Sequence, residues 1–124
     1  IETPEGVDNL EAIAAVDGLA GIYIGPSDLT LGTQQGRLPP GFDRQEPEMI
    51  ELIHRILEVC KRRGILACLH CGTAEYAARA VGWGFDLTTV SGDSRLLAAA
   101  AAASVGKWHE LVSSEAPKGS EVAY

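Results

Sequence analysis

Gly21-Ile22-Tyr23-Ile24-Gly25-Pro26-Ser27-Asp28 is an apolar run of strand length, bracketed by glycines and halted by a proline. Such a run, apolar on both sides, fits a strand covered on both faces in a parallel sheet. Upstream, Val7, Leu10, Ile13 and Ala14 recur at helical spacing through residues 6–16, and Asp17-Gly18 stops them. Downstream, Ile50, Ile53, Leu57 and Cys60 share one face of an amphipathic helix, with Glu51, His54, Arg55 and Glu58 turned away. Gly64 closes that helix where glycine is favoured. Residues 65–71 read as a second strand, 73–81 as a helix with Thr73 as N-cap, 85–90 as a third strand, and 94–111 as an alanine-rich helix. Residues 29–47, rich in Gly, Pro and Gln and without periodicity, are predicted to be a long functional loop. A tail over 113–124 is expected to be disordered.

Strict alternation of apolar strands with helices predicts an α/β fold with a parallel sheet. Two architectures satisfy it: a small open doubly wound sheet, and the C-terminal half of a (β/α)8 TIM barrel, which in full takes about 250 residues. Ile1-Glu2 reads as the last residues of a strand, so further sequence is expected before it. That start favours the half-barrel, running over 1–112 from the end of strand 5 through helix 8. Either architecture puts chemistry at the C-terminal ends of the strands. Those ends are Glu2, the Gly25–Asp28 turn, His70–Gly72 and Ser91–Asp93.

Composition excludes some functions. In 124 residues, 46% are apolar and 22% charged, with a net charge of -7. An acidic chain lacks the clustered Lys and Arg of a nucleic-acid surface, so no nucleic-acid partner is expected. The Lys61-Arg62-Arg63 cluster is explained by the last turn of a helix. Three cysteines, an odd number, do not form a secretory framework and favour a reducing cytoplasmic setting. The most apolar stretch, 96–105, is too short to cross a membrane.

Glu2 and Asp28 end consecutive strands, and neighbouring parallel strands lie about 4.8 Å apart. Two carboxylates so placed can converge on one hard divalent cation. The competing readings are a capping or turn aspartate and a solvated glutamate. Gly25-Pro26-Ser27-Asp28 can aim the Ser27 and Asp28 N–H groups at a carboxylate or phosphate, while Pro26 stiffens the turn. His70 shares the strand-end layer, either as a pocket-lining group or as a hydrogen-bonded core residue. Cys68-Leu69-His70-Cys71 offers too few ligands for a zinc site, and a strand sends Cys71 to the opposite face from Cys68 and His70. Asp93 suits a helix cap, Trp83 a core anchor, and His54 and His109 solvated helix faces or subunit contacts.

The run from Ile1-Glu2-Thr3 through Asp17-Gly18 to Gly25-Pro26-Ser27-Asp28-Leu29-Thr30 resembles the HpcH/HpaI aldolase family. The resemblance extends to about residue 111. It implies a metal-dependent class II aldolase that releases pyruvate and an aldehyde from 4-hydroxy-2-oxo acids or 2-dehydro-3-deoxy sugar acids. By that resemblance Glu2 and Asp28 hold Mg²⁺, Mn²⁺ or Co²⁺, and Gly25 and Ser27 hold the pyruvate carboxylate. His70 falls where the family has an apolar substrate contact. The resemblance also implies a homo-oligomer through the last helix. The family's assisting His and Arg lie on early strands and have no counterpart in these residues, so this segment alone is expected to be inactive. The competing readings are a citramalyl- or malyl-CoA lyase-like enzyme and a non-catalytic α/β binding module.

Overall fold

The computed structural model describes residues 1–115. They fall into two compact units divided after Ser91.

The first unit is built on three parallel strands in the order β1-β2-β3: β1 (Gly21–Ile24), β2 (Leu66–Leu69) and β3 (Leu87–Thr88). Tyr23 pairs with Cys68 and Ile24 with Leu69, while Cys68 pairs with Leu87. Period-two alternation then gives the sheet two different faces. Ile22, Ile24, Ala67 and Leu69 are buried in the core. Tyr23, Leu66 and Leu87 are exposed on the other face.

Five helices accompany the strands: α1 (Pro4–Asp8), α2 (Leu10–Ala14), α3 (Pro26–Gln34), α4 (Pro47–Arg63) and α5 (Ala74–Trp83). Ile53, Ile56, Leu57 and Cys60 of α4 join Leu10 of α2 and Tyr76, Ala77 and Ala80 of α5 in one apolar cluster with the buried strand residues. Three of the four predicted α4 face residues are fully inside, and Gly64 ends the helix in the left-handed region at φ 68°. Thr73 caps α5, its Oγ1 accepting from the Tyr76 N–H at 3.3 Å.

Four expectations need correction. The stretch predicted as a loop over 29–47 begins inside α3, leaving only 35–46 between helices. Gly25–Asp28 is consequently a helix start, not a strand-to-loop turn. The helix predicted over 6–16 is two short ones, separated at Asn9, whose side chain donates to the Glu5 carbonyl at 2.8 Å. Ile1-Glu2 is not assigned as strand, although the Ile1 amine donates to the Tyr23 carbonyl at 2.8 Å, as a ladder neighbour would.

The basic cluster is occupied by ion pairs: Arg62 and Arg63 with Glu11, and Lys61 with Asp86 at 2.7 Å. The Asp86 carboxylate also accepts from the Ala67 N–H at 2.8 Å. That backbone donor, then Lys61, holds its carboxyl below the ordinary aspartate range. A depressed carboxyl stabilises the fold above its unfolded value and loses that contribution as pH falls through the folded one. The Tm gap between the native and Asp86→Asn proteins should therefore be open at neutral pH and close in acid below about pH 4. A gap independent of pH in a melting series would refute the assignment.

The second unit carries α6 (Asp93–Glu115), which opens with the Asp93 carboxylate accepting from the Ser94 N–H at 2.7 Å. Of the expected tail, 113–115 belong to this helix and 116–124 lie outside the described residues. Among the described residues, no helix is long and apolar enough to cross a membrane.

Candidate active site

Three ladder bonds align the strand ends. Ile1 N–H donates to Tyr23 O at 2.8 Å, His70 N–H to Ile24 O at 3.0 Å, and Thr89 N–H to Leu69 O at 3.2 Å. Extending each register by this pattern sets Glu2, Gly25, His70 and Thr89 side by side at one level. Partners in a parallel ladder point the same way, so this row lies on the face that carries Tyr23 rather than on the buried one.

Gly25 is the gap in the row. A Cβ built there would meet Glu2 Oε1 at 2.5 Å and Glu2 Cδ at 3.3 Å. The glutamate carboxylate therefore rests where a side chain at position 25 would be. Gly32, two turns into α3, allows a second close approach: its Cβ would lie 2.6 Å from the Glu2 carbonyl oxygen. Both glycines serve to seat Glu2 along the start of α3.

That helix begins with Gly25 as N-cap and Pro26 in the first turn, with Asp28 following. Proline there costs no hydrogen bond, because first-turn N–H groups have no intrahelical acceptor. The same rule leaves the Ser27 and Asp28 N–H groups directed out of the helix start, where an anion is favoured. Thr30 and Thr33 return their hydroxyls to Pro26 O and Leu29 O, each at 2.6 Å, which ties the polar helix to itself. Glu2 and Asp28 are exposed, Ser27 is half-buried and Gly25 is buried.

Among the described residues, no group of three or more His, Cys, Asp and Glu side chains gathers at one point. What the strand ends offer a cation is the two carboxylates of Glu2 and Asp28. Hard oxygen donors with neighbouring positions open to water and substrate suit a divalent ion of the Mg²⁺ type. The space at Gly25 that receives the Glu2 carboxylate agrees with that donor set.

His70 is half-buried beyond β2. Its Nδ1 lies 2.7 Å from the Tyr23 hydroxyl, and the Phe42 ring packs on it at a 4.6 Å centroid distance. Burial pushes the Tyr23 phenol up, against the Thr89 hydroxyl beside it. Thr89 Oγ1 in turn accepts from Cys71 N–H at 2.9 Å and donates to Cys71 O at 3.1 Å.

Phe42 owes its place to three consecutive anchors. The Asp43 carboxylate accepts from Gly72 N–H and Thr73 Oγ1, both at 2.7 Å. Tyr76 Oη donates to Arg44 O at 2.9 Å, and Arg79 donates to Gln45 Oε1 at 2.9 Å. The Arg44 guanidinium, only 5% exposed, reaches Glu46 through two bonds of 3.0 and 2.7 Å and Pro39 O at 2.9 Å.

The sequence did not single out Tyr23, Phe42, Asp43 or Thr89. Strand alternation could have found Tyr23 and Thr89, since each falls on the same face as His70; nothing local marks Phe42. Cys71 is buried while Cys68 is not, and all three cysteines are free. Burial, then the Asp43 charge, pushes the Cys71 thiol up to about 11, so it stays protonated at neutral pH. His54, expected on a solvated face, is instead half-buried with its ring edge against Trp83 at 4.8 Å.

A parallel sheet with helices over one face and a row of polar strand ends on the other is the arrangement of a segment of an α/β barrel. The chain belongs to the HpcH/HpaI aldolase/citrate lyase family, whose sequence profile matches residues 1–100. It is 35% identical over 101 residues to a hydroxypyruvate/pyruvate aldolase of Rhizorhabdus wittichii, covering 82% of this chain and 39% of that protein. To a 5-keto-4-deoxy-D-glucarate aldolase of Enterobacter sp. strain 638 it is 37% identical over 93 residues, covering 75% of this chain and 34% of that protein. An HpcH/HpaI aldolase/citrate lyase family protein from Burkholderia cenocepacia J2315 superposes with a TM-score of 0.76 at 28% identity, over 88% of this chain and 40% of that one. The chain thus spans about a third to two fifths of the length of these relatives. Of the two architectures the sequence allowed, the fold is the barrel, in part.

Proposed function

We propose that the whole protein is a metal-dependent aldolase that cleaves 4-hydroxy-2-oxo acids or 2-dehydro-3-deoxy sugar acids to pyruvate and an aldehyde. The observation that carries this reading is the Glu2 carboxylate resting over Gly25, at the start of the helix that bears Asp28. Glu2 and Asp28 would hold Mg²⁺, Mn²⁺ or Co²⁺, which when bound supplies Lewis-acid polarisation of the 2-oxo group. The chain's other groups orient the substrate. The Ser27 and Asp28 N–H groups at the start of α3 hold the 2-oxo acid's carboxylate. Gly25 lets the Glu2 carboxylate lie over the strand beside that of His70, so a small molecule held on that carboxylate extends toward the imidazole. His70 borders the opposite end, where the aldehyde half would sit. The protons of the cleavage step are moved by groups that these residues do not supply.

The family description also covers citrate lyases, so a lyase acting on a citramalyl- or malyl-CoA-like thioester is the second reading. A coupled assay for pyruvate release by the full-length protein separates them. Pyruvate should appear from a 4-hydroxy-2-oxo acid, fall to the blank rate with EDTA, and return with Mn²⁺. Release unaffected by EDTA would end the metal reading, and release only of pyruvate from citramalyl-CoA, or of glyoxylate from malyl-CoA, would favour the second one. The proposal extends to a homo-oligomer through α6, whose Leu96, Leu97, Trp108 and Leu111 are exposed. A cytoplasmic setting accords with the three free cysteines.

A further inference from the structure

Resting on the aldolase reading, the structure carries one step more, at the end of the row away from Glu2. Neighbouring parallel strands are about 4.8 Å apart, so Glu2 and His70, with Gly25 between them, are separated by about 10 Å of backbone. The Glu2 carboxylate reaches over Gly25, so a ligand held on it extends toward the imidazole on the next strand.

The imidazole is held in a defined way. Its Nδ1 is 2.7 Å from the Tyr23 hydroxyl, a separation usual for a hydroxyl donor and shorter than the 2.9–3.0 Å common for an N–H donor. The phenol is also the more acidic partner, and its oxygen the weaker acceptor. Both arguments favour Tyr23 as the donor and Nδ1 as the acceptor. A neutral imidazole has one N–H, so the proton then resides on Nε2. Phe42 packs on the ring at 4.6 Å and Tyr23 meets it edge-on at 6.2 Å, which limits its rotation. The anchors at Asp43, Arg44 and Gln45 hold Phe42 there.

We propose that Tyr23 is a positioning residue that fixes His70 as the Nε2–H tautomer, and that this N–H recognises an oxygen substituent on the aldehyde half of the substrate. The preferred acceptor class is accordingly hydroxylated aldehydes rather than unsubstituted ones. An apolar residue at position 70 would offer no such bond.

The first test reads the tautomer directly, on the full chain labelled with ¹⁵N-histidine at about pH 8, where a free imidazole is neutral. The His70 signal, identified by its loss in His70→Asn, should show an unprotonated Nδ1 and a protonated Nε2. In Tyr23→Phe the two tautomers should mix. A native Nδ1–H form, or a Tyr23→Phe spectrum identical to the native one, overturns the positioning role. A merely structural pair would change the melting temperature without this signature.

The second test uses aldol addition of pyruvate by the full-length enzyme to glycolaldehyde and to acetaldehyde. Tyr23→Phe and His70→Asn should each lower the glycolaldehyde-to-acetaldehyde ratio of kcat/KM by about 10-fold, the scale of one lost hydrogen bond. Native activity with an unchanged ratio overturns the acceptor role alone. Absence of addition to either aldehyde by the native enzyme overturns the aldolase reading and the acceptor role with it, while the tautomer spectrum still decides whether Tyr23 orients His70.

Discussion

Gly25→Ala should weaken Mn²⁺ binding by the full-length protein about 10- to 100-fold while leaving its fold intact, the scale seen when a ligand's support is removed. The added methyl would fall 2.5 Å from Glu2 Oε1, 3.3 Å from its Cδ and 3.4 Å from its Cγ. Glu2 is exposed, so its side chain can swing into water at little cost, and the backbone need not move. Position 25 has φ -96° and ψ 93°, which alanine adopts without strain. Its poorer N-capping costs only about 1 kcal/mol. The displaced carboxylate no longer sits at the start of α3, and that is what the metal would register. Direct removal of either carboxylate, in Glu2→Gln and Asp28→Asn, sets the lower limit for comparison. Titration calorimetry with Mn²⁺ reads all three, and a melting curve verifies folding. Native affinity in Gly25→Ala would mean that the seat over Gly25 has no part in metal binding.

Glu46→Ala should destabilise the protein by about 2–3 kcal/mol, a large share of the stability of a small domain. Arg44 is 5% exposed, and among the described residues its guanidinium would keep the Pro39 carbonyl as acceptor. A buried charge stripped of its partner typically costs about 3–5 kcal/mol. Glu46 is 33% exposed, so water can enter the vacated place and lower that figure. The Glu46 carboxyl is itself held below the ordinary range, first by its own backbone N–H and then by Arg44. Replacing both residues by methionine should be milder than Glu46→Ala, because it removes the charge together with its partner. Urea unfolding of the three proteins measures this; a single-variant loss under about 0.5 kcal/mol would place Arg44 in contact with solvent after all.

The strands and α4 were legible because each announces itself locally: glycine-bounded apolar runs for the first, a wide apolar stripe ending in Gly64 for the second. Helix α3 was not. Ser27, Thr30, Gly32, Thr33 and Gln34 interrupt any apolar stripe, the threonine hydroxyls bond back to the preceding turn, and what favours the helix is proline in the first turn and a glycine lying close to Glu2. Only the last of these depends on tertiary structure, but a scan for apolar periodicity detects none of them. The break at Asn9 was hidden for a similar reason, since its side chain and its backbone N–H both donate to the Glu5 carbonyl, a local bond that no apolar pattern marks. For the candidate site, Glu2, Gly25, Ser27, Asp28 and His70 were chosen from residue type and strand-end position. The contact of Glu2 with Gly25 requires register across strands, which spacing alone does not give. Phe42 comes from a stretch with no periodic signal, and it reaches His70 only because Asp43, Arg44 and Gln45 each find a partner some thirty residues away.

The row of strand ends separates two tasks by element. The acids come from residue 2 and from α3, whereas His70 follows β2 and the groups around it come from β1 and the 35–46 connection. A change of residue at 42 or 70 thus leaves the glutamate seat and the helix that faces it untouched. On the proposed reading, lineages carrying this arrangement can drift in the aldehyde they accept without first surrendering the ion, and a laboratory library confined to those positions would inherit the same freedom.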